Sequence, residues 1–345
     1  MPTDFTQYIT ERVLLTGRPV GVSSPEYHIG FGIDAAYLRP VGVLIASLSM
    51  LHPDITLSFH VLTLRLCETD LSLLRALAHR HRIQITVYQL NAEAFASLPT
   101  NRYFSTAVYY RLLVPKVTPA KQVLYLDSDM LCLGNIRPLL DTALDGYTMA
   151  VVGDLPDMTR TKMSELQIPT YFNSGMQLIN VAAWNREEIS ERAVALLRDD
   201  ARKLPFLDQD ALNLLQAGKA LMLDRRWNYL FLESREPDKL QEALSQAILL
   251  HCVAYPKPWM AFYDSPPVQE LYLSAEQHTP WAGMPLQKPT LPYDIRRYAR
   301  MLWRHRHYAH SVAQYLRYKR IKIQRARNLS DLGLGSFQHL LPTGS

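Results

Sequence analysis

Cysteine is scarce in this sequence: three of its 345 residues are cysteines, and none forms a CxxC pair. Disulfide-built secreted domains and structural zinc sites both need clustered cysteines, so the sequence argues against both. Long apolar runs are also missing. The most apolar stretch, residues 41–51, is too short to span a bilayer, and no cationic leader with a cleavage motif precedes it. We therefore expect a protein of a reducing compartment that is soluble or peripheral to a membrane.

The composition is that of a globular protein. Hydrophobic residues make up 48% of the chain and charged residues 20%. This composition excludes a chain that is disordered, collagen-like or coiled-coil over its whole length. No internal repeat or low-complexity tract is visible in the sequence. The length is about twice the ~150 residues typical of one domain. Two domains, or one large α/β domain with an appendage, are the expected organisations.

Positive charge is concentrated in the C-terminal region. The formal net charge is +5, but residues 287–345 hold twelve Lys and Arg against two Asp and so carry +10, whereas the residues before them carry −5. Aromatic residues such as Trp303, Tyr308 and Tyr315 are interleaved with these cations, a pattern typical of basic amphipathic helices on an anionic membrane. Nucleic acid is the competing partner, and a solvated helical face packed on the core is the structural alternative.

Strand and helix patterns alternate through the first half of the chain. Residues 1–26 have no sustained hydrophobic period and are expected to form a loosely attached N-terminal extension. Alternation after them predicts an α/β fold with a doubly wound, mostly parallel sheet, whose ligands bind beyond the carboxyl ends of its strands. Strands are predicted at residues 27–33, 57–62, 83–88 and 123–126, and helices at residues 37–48, 71–81 and 105–113.

The strand at residues 123–126 runs directly into Asp127, Ser128 and Asp129. Side chains at i and i+2 point to the same side of an extended backbone, so both carboxylates can face one point at the end of the strand. Two hard oxygen ligands suit Mg²⁺ or Mn²⁺, and such an ion commonly shares its other positions between water and substrate phosphates. The triplet predicts a divalent-cation site for a phosphate ester. An aspartate that only forms the turn after a strand is the structural alternative.

A second group of residues supports the metal site. The apolar residues 248–250 lead into His251, and Lys257 follows six residues later. A histidine at a strand end can complete a mixed oxygen and nitrogen shell suited to Mn²⁺, and a nearby lysine supplies a point charge for a diphosphate. Both residues would then serve one nucleotide. The structural alternative is a histidine that is simply hydrogen-bonded within the core.

Six motifs occur in a fixed order along the chain: IGFGID at 29–34, STAVYYRL at 105–112, LDSD at 126–129, YFNSGM at 171–176, DQDALN at 208–213 and the segment 251–259. Together they resemble the motifs of glycosyltransferase family 8 over roughly residues 27–263. The region after them is similar to the C-terminal domain of the enterobacterial lipopolysaccharide-core branch of that family. This resemblance implies a Rossmann-like fold of the glycosyltransferase A type. Residues 27–263 would form the nucleotide-sugar-binding catalytic domain, and residues 264–345 a basic helical region for membrane or acceptor association.

The resemblance also implies a function. The enzyme would be a retaining hexosyltransferase that moves glucose or galactose from a UDP-sugar to the growing lipopolysaccharide outer core, forming an alpha linkage. It would use Mn²⁺, with Mg²⁺ as a substitute, and would lie in the cytoplasm, attached peripherally to the anionic inner membrane, without binding nucleic acid. Carried over residue by residue, Asp127, Asp129 and His251 would hold the metal; Gly32, Ile33, Asp34, Arg111, Ser128 and Lys257, with both aspartates, would bind the nucleotide; and Asp154, Asn173, Asp208 and Gln209 would surround the transferred sugar.

The chemistry of such a site leaves several alternatives open. Negative charge develops on the leaving diphosphate, which a divalent cation and Lys257 would stabilise. Retention needs either a nucleophile on the opposite face of the sugar or same-face attack guided by the leaving group, and the sequence does not choose. Asp208 also suits a helix N-cap. A Mg²⁺-dependent phosphatase and a non-catalytic membrane or nucleic-acid binding module are the competing functions. Leu131 stands where a phosphatase has a hydroxyl, and the intact metal residues argue against the module.

Overall fold

The computed structural model describes residues 5–18, 26–101, 105–199 and 203–331, with the backbone alone for residues 325–331. These residues divide into two compact units. The first comprises the described residues up to Leu232, Glu236–Val253 and Tyr272–Gly283, and the second comprises Glu233–Arg235, Ala254–Leu271 and the described residues from Met284 onward.

Strands and helices alternate along the first unit, as predicted, and helices dominate the second. The strands are β1 (Ile9–Thr16), β2 (Glu26–Gly32), β3 (Thr56–Leu64), β4 (Gln84–Leu90), β5 (Gln122–Leu126), β6 (Met130–Cys132), β7 (Met149–Gly153), β8 (Phe172–Asn180), β9 (Leu221–Met222), β10 (Tyr229–Leu230) and β11 (Leu249–His251). The α-helices are α1 (Leu38–Leu51), α2 (Glu68–His81), α3 (Val114–Val117), α4 (Arg137–Leu140), α5 (Pro156–Leu166), α6 (Val181–Arg186), α7 (Ile189–Arg198), α8 (Leu207–Gln216), α9 (Pro237–Gln246), α10 (Pro266–Glu276), α11 (Pro292–Arg304) and α12 (Tyr308–Asp331). Short 3₁₀ helices cover Phe5–Tyr8, Ala35–Tyr37, Thr106–Leu113 and Arg225–Asn228.

An eight-stranded mixed sheet forms the centre of the first unit, in the order β1-β4-β3-β2-β5-β8-β7-β9. Strands β4, β3, β2 and β5 run parallel, as do β7 and β9, whereas β8 is antiparallel to both of its neighbours and β1 is antiparallel to β4. A separate three-stranded sheet has the order β10-β11-β6. The predicted α/β fold with a mostly parallel sheet is confirmed.

Apolar side chains cover both faces of the large sheet. In β5, Leu124 and Leu126 join the buried cluster on one face, and Val123 and Tyr125 join the cluster on the other. This alternation follows from the two-residue period of a strand. Fully burying one such aliphatic side chain stabilises the fold by about 1.5–3 kcal/mol.

The N-terminal region differs from the sequence-based expectation. Strand β1 forms an edge of the large sheet, and Thr10 Oγ1 donates to the carbonyl of Gln89 at 3.0 Å. The expectation of loose attachment is therefore wrong for Ile9–Thr16. Only Leu15 of this strand is fully buried, and an edge strand with exposed side chains carries no hydrophobic period for a sequence analysis to detect. Residues 1–4 and 19–25 of the expected extension lie outside the described residues.

Tyr272–Gly283, which the sequence analysis placed in the C-terminal region, cluster with the first unit. Trp281 is 3% exposed and lies against α1 at Gly42, where an added Cβ would come within 2.2 Å of its indole ring. Arg39 of the same helix donates to the buried carboxylate of Glu276 at 2.6 Å. Through these contacts the segment packs against α1, which explains why it clusters with the first unit.

The described part of the predicted basic helical region, residues 264–345, contains α10, α11 and α12, and residues 332–345 lie outside the described residues. Helix α11 buries Ile295, Ala299 and Leu302, and Ser311 Oγ of α12 donates to the carbonyl of Ala299 at 2.7 Å. The spacing of the buried residues, i, i+4 and i+7, makes one apolar stripe and leaves the opposite face to charged residues. Among the described residues, no helix combines the length and apolarity that crossing a bilayer requires.

Candidate functional site

Asp127, Asp129 and His251 lie together beyond the carboxyl end of β5. The chain turns after Leu126 and returns as β6, which pairs with β11, and His251 is the last residue of β11. His251 Nε2 lies 3.0 Å from Asp129 Oδ1 and 3.9 Å from Asp127 Oδ2, and one ligand atom of each residue lies within 4.8 Å of the others. The structure thus brings together the three predicted ligands, and two carboxylates with one imidazole fit Mn²⁺ or Mg²⁺.

Asn228, which the sequence analysis missed, orients the imidazole of His251. Its Oδ1 lies 2.9 Å from His251 Nδ1, and its Nδ2 donates to Asn173 Oδ1 at 2.9 Å. Because the amide oxygen can only accept, Nδ1 carries the proton and the lone pair of Nε2 faces the carboxylates. Asn228 is 1% exposed. No sequence pattern marks this residue, since it reaches His251 only through the pairing of β10 with β11.

We expect His251→Ala to raise the Mn²⁺ concentration for half-maximal activity, because the substitution removes one of the three predicted ligand groups. Asn228→Ala should produce a smaller shift in the same direction, about 10- to 100-fold, as is usual for a residue that orients a ligand. The measurement is a titration of transfer activity against Mn²⁺, with the acceptor KM and thermal unfolding followed in parallel. An unchanged metal midpoint with an altered acceptor KM would place His251 in the acceptor site instead.

Arg111 is buried between two carboxylates. It donates to Asp127 Oδ1 at 3.0 Å, and its Nε lies 2.9 Å from Asp208 Oδ2. It also donates to the carbonyl and hydroxyl oxygens of Ser174 at 2.6 and 2.7 Å. Tyr125 gives Asp127 Oδ1 a second hydrogen bond at 2.8 Å. Arg111, predicted near the donor nucleotide, therefore holds a predicted metal ligand in place and compensates its charge.

Asp208 sits in the first turn of α8 and is 4% exposed. Burial raises its pKa to about 6, against the opposing charge of Arg111. Its Oδ2 accepts no hydrogen bond from any residue that the structure describes, since Arg111 Nε donates to the carbonyl of Val108. The N-cap position of α8 belongs to Phe206, so the alternative of Asp208 as a helix cap is wrong.

Asp154, Asn173 and Gln209, the other predicted sugar-site residues, form one hydrogen-bonded group. Gln209 Nε2 donates to Asp154 Oδ2 at 2.9 Å, and Asn173 Nδ2 lies 3.4 Å from the same oxygen. Gln209 Oε1 accepts from the backbone N–H of Ser174 at 2.9 Å. Asn173 connects this group to the metal cluster, because its Oδ1 accepts from Asn228.

Gln209 is held by a buried group formed by Tyr171, Asp210 and Lys162. Tyr171 accepts a hydrogen bond from Gln209 Nε2 at 3.0 Å and donates to Asp210 Oδ1 at 2.6 Å. The ammonium of Lys162 lies 3.4 Å from Asp210 Oδ2, and both side chains are buried. Burial raises the pKa of Tyr171, and the charge of Asp210 raises it further, so the phenol keeps its proton. Gln209 is thus fixed in one orientation.

The predicted uridine turn follows β2. Gly32 must be glycine, because an added Cβ would lie 2.8 Å from the Cβ of Tyr110. Ile33 is buried, and its N–H donates to the carbonyl of Leu62 at 2.9 Å. Asp34 accepts from the N–H of Ala36 at 3.1 Å and caps the 3₁₀ helix Ala35–Tyr37.

The turn after β2 and the two aspartates after β5 lie at the same edge of the sheet, because β2 and β5 pair in parallel. Tyr37 belongs to the 3₁₀ helix that follows the turn. Burial raises the pKa of its hydroxyl, and the charges of Asp129, Asp34 and Asp127 raise it further.

Ser128 and Lys257 are the two remaining residues predicted to contact the nucleotide. Ser128 is 8% exposed and stands between the two aspartates in sequence. Lys257 belongs to the second unit, is 7% exposed, and donates its backbone N–H to Met260 Sδ at 3.4 Å. Its contact with a diphosphate stays a prediction.

The chain is similar to known glycosyltransferases over most of its length. Residues 28–262 match the family model described as Glycosyl transferase family 8, and residues 267–322 match Glycosyl transferase family 8 C-terminal. A Lipopolysaccharide 1,3-galactosyltransferase of Salmonella typhimurium is 30% identical over 310 residues, which are 86% of this chain and 92% of that protein. A lipopolysaccharide glucosyltransferase of Escherichia coli, WaaO, is 29% identical over 302 residues, 84% of this chain and 89% of that protein.

Solved structures show the same likeness. The galactosyltransferase LgtC, in complex with donor and acceptor sugar analogs, superposes with a TM-score of 0.61 at 26% identity and covers 74% of this chain and 99% of that chain. The first family match includes Asp127, Asp129 and His251, and the second includes α11 and most of α12.

Proposed function

Since the chain belongs to glycosyltransferase family 8, we propose that it is a retaining hexosyltransferase that moves glucose or galactose from a UDP-sugar to the growing lipopolysaccharide outer core. The observation that carries this proposal is the cluster of Asp127, Asp129 and His251 beside the hydrogen-bonded group of Asp154 and Gln209. Relatives named as lipopolysaccharide galactosyl- and glucosyltransferases support the acceptor class. Membership of this family argues against a phosphatase. The presence of Asp127, Asp129 and His251 in one cluster argues against a non-catalytic binding module.

The residues of the cluster would hold a divalent cation, most suitably Mn²⁺, which when bound supplies Lewis-acid stabilisation to the leaving diphosphate. Arg111 and Tyr125 keep the carboxylate of Asp127 oriented through hydrogen bonds of 3.0 and 2.8 Å. Asn228 keeps the Nε2 lone pair of His251 aimed at the same point. Lys257 would add a positive charge to the diphosphate.

The transferred sugar would lie beside Asp154, Asn173 and Gln209. Gln209 is fixed through Tyr171 and the N–H of Ser174, so its amide can orient sugar hydroxyls without reorganising. We assign to Asp154 the stabilisation of the positive charge that develops on the sugar ring. Asp208 is buried and paired with Arg111, which suits a supporting charge and not a nucleophile.

The test is a transfer assay with UDP-glucose and UDP-galactose against a series of truncated lipopolysaccharides, with Mn²⁺ present. We expect one donor and one acceptor length to give product, whose anomeric proton signal shows an alpha linkage. Transfer that is absent for both donors over the whole series, or a product with a beta linkage, would contradict the proposal. A preparation carrying Asp129→Asn serves as the background control.

Peripheral attachment to an anionic membrane on the cytoplasmic side is part of this proposal. Helix α12 exposes apolar residues at helical spacing and also exposes four cations. Such a face partitions into the headgroup region, where each Lys or Arg contributes about 1 kcal/mol. The apolar residues are Tyr308, Val312, Tyr315, Leu316 and Ile323, and the cations are Arg317, Lys319, Arg320 and Lys322.

We expect replacement of these four α12 cations by glutamine to lower binding to anionic vesicles by about 100-fold or more at low salt, because several contributions of about 1 kcal/mol are lost together. Vesicle sedimentation measures the effect, and UDP-sugar hydrolysis should survive. Equal loss in a control of matched charge would show that only net charge matters. That control replaces Arg160, Arg186, Arg192 and Lys239, which are exposed in the first unit.

A further inference from the structure

The second unit contains a cavity of about 310 Å³ that is lined mainly by arginine. This volume is at the lower end of the range of about 300–1,000 Å³ found for small-molecule sites. Five arginines and two carboxylates line the cavity, which gives its wall a net charge of +3. The arginines are Arg235, Arg296, Arg297, Arg300 and Arg304.

The two carboxylates anchor part of this wall. Asp264 is 4% exposed and pairs with Arg304 and His305, and Glu233 pairs with Arg297. Although burial raises the pKa of Asp264, hydrogen bonds from His305 and Arg304 hold it below its usual value. The carboxylate is therefore charged at neutral pH, and the guanidinium of Arg304 is fixed at the rim of the cavity instead of moving freely in solvent. Arg235 Nε lies 3.4 Å from Asp264 Oδ2 as well.

Arg296 and Arg300 keep their charges uncompensated, since neither forms an ion pair within the part of the chain that the structure describes. The guanidinium of Arg296 lies 5.9 Å from the ring centre of Tyr318, which fixes its position without neutralising it. Arg300 is exposed and stands one helical turn from both Arg296 and Arg304. Like charges at i and i+4 repel each other on a helix. The guanidinium groups on this face of α11 therefore repel one another, and a bound anion would reduce that repulsion.

We propose that this cavity is a binding site for a phosphomonoester group. A guanidinium presents paired N–H donors that match the oxygens of a phosphate, and charge-assisted hydrogen bonds of this kind are the strong ones. A phosphate dianion offers three acceptor oxygens and nearly balances the net charge of the wall. A merely solvated arginine face would need neither a concave wall nor carboxylates that pair with its guanidinium groups.

The phosphomonoester has two possible sources, a phosphorylated saccharide and the headgroup of a phospholipid. Both sources present the same phosphomonoester group to the arginines. The proposal therefore specifies this group, and the experiment distinguishes the two sources. This inference does not depend on the proposed transferase function, because binding is measured without metal, donor or acceptor.

The experiment titrates the full-length protein, without Mn²⁺ and at constant ionic strength, with inorganic phosphate and with glucose 6-phosphate by calorimetry. A parallel sedimentation assay compares phosphatidylcholine vesicles that contain phosphatidic acid, a monoester, with vesicles of equal surface charge that contain phosphatidylglycerol, a diester. The variants are Arg300→Gln alone and together with Arg296→Gln. Arg192→Gln is the matched control, since Arg192 is exposed on α7 of the first unit, outside the cavity and outside α12, and donates to the carbonyl of Glu187.

We expect saturable binding with one site per chain, weakened at least tenfold in the double variant and changed less than twofold in the control. Binding of glucose 6-phosphate assigns the site to a saccharide phosphate, and preference for phosphatidic acid over phosphatidylglycerol assigns it to a lipid headgroup. Absence of saturable binding to every probe, or equal binding by wild type and double variant, would overturn the proposal. Metal-dependent UDP release, measured on the same preparations, should be unchanged in Arg300→Gln and reports separately on the proposed function.

Discussion

Asp129→Asn is expected to lower kcat by about 100-fold or more, as does removal of other groups that stabilise developing charge. Asparagine keeps the size of the side chain but removes one negative charge from the cluster, where His251 Nε2 lies 3.0 Å from the carboxylate. Asp127→Asn should lower kcat to a similar extent. The measurement is turnover of UDP-sugar at saturating Mn²⁺ together with thermal unfolding.

Asp127→Asn should also lose stability. Asp127 accepts hydrogen bonds from Arg111 and Tyr125, and its side chain is 26% exposed. Loss of the charge there weakens both bonds, at about 1–3 kcal/mol of unfolding free energy. Turnover of both variants is therefore measured at a temperature at which thermal unfolding shows each of them to be folded. Turnover near the wild-type value in either variant at saturating Mn²⁺ would contradict the assignment of these aspartates to the metal.

Gly175→Ala is expected to abolish most activity although glycine carries no functional group. An added Cβ would lie 2.4 Å from His251 Cε1 and 2.9 Å from both Asn173 Oδ1 and Asp127 Oδ2. Contacts this short force the neighbours to move, and small displacements of catalytic groups cost about 100-fold in rate. Activity and the Mn²⁺ midpoint should both be affected, because the methyl group meets a predicted ligand on each side.

Gly153→Ala provides the matched control. Gly153 ends β7, and the nearest atom to its added Cβ is Met222 Cε at 3.9 Å, an ordinary contact. We expect kcat within about twofold of wild type, as for surface changes of under 0.5 kcal/mol. Should Gly175→Ala keep the wild-type kcat and metal midpoint, the close packing of Gly175 against the cluster would have no functional meaning.

Local patterns predicted the centre of the fold and the acidic half of the candidate site. The run at residues 123–126 is apolar on both faces because β5 is covered on both sides, and the carboxylates follow where the strand ends. Edge strand β1 escaped detection because its side chains are mostly exposed. The period-two signal depends on one buried face, and this strand barely has one.

Contacts between distant segments could not be predicted from spacing. Asn228 reaches His251 because β10 pairs in parallel with β11, a pairing of two-residue length that leaves no signature in the sequence. Arg111 is predicted to lie near the donor nucleotide, and the structure adds that its guanidinium lies between Asp127 and Asp208. The sequence shows that a motif contains an arginine. Its carboxylate partners come from distant segments, and only the folded structure identifies them.

The most direct test of the central claim is release of UDP from UDP-glucose and UDP-galactose by the full-length protein, without acceptor. The account predicts Mn²⁺-dependent release from one of these donors, its loss in the presence of a chelator, and its near absence in Asp129→Asn. UDP release that is equal with Mn²⁺ and with chelator, or absent for both donors in a folded wild-type protein, would contradict it.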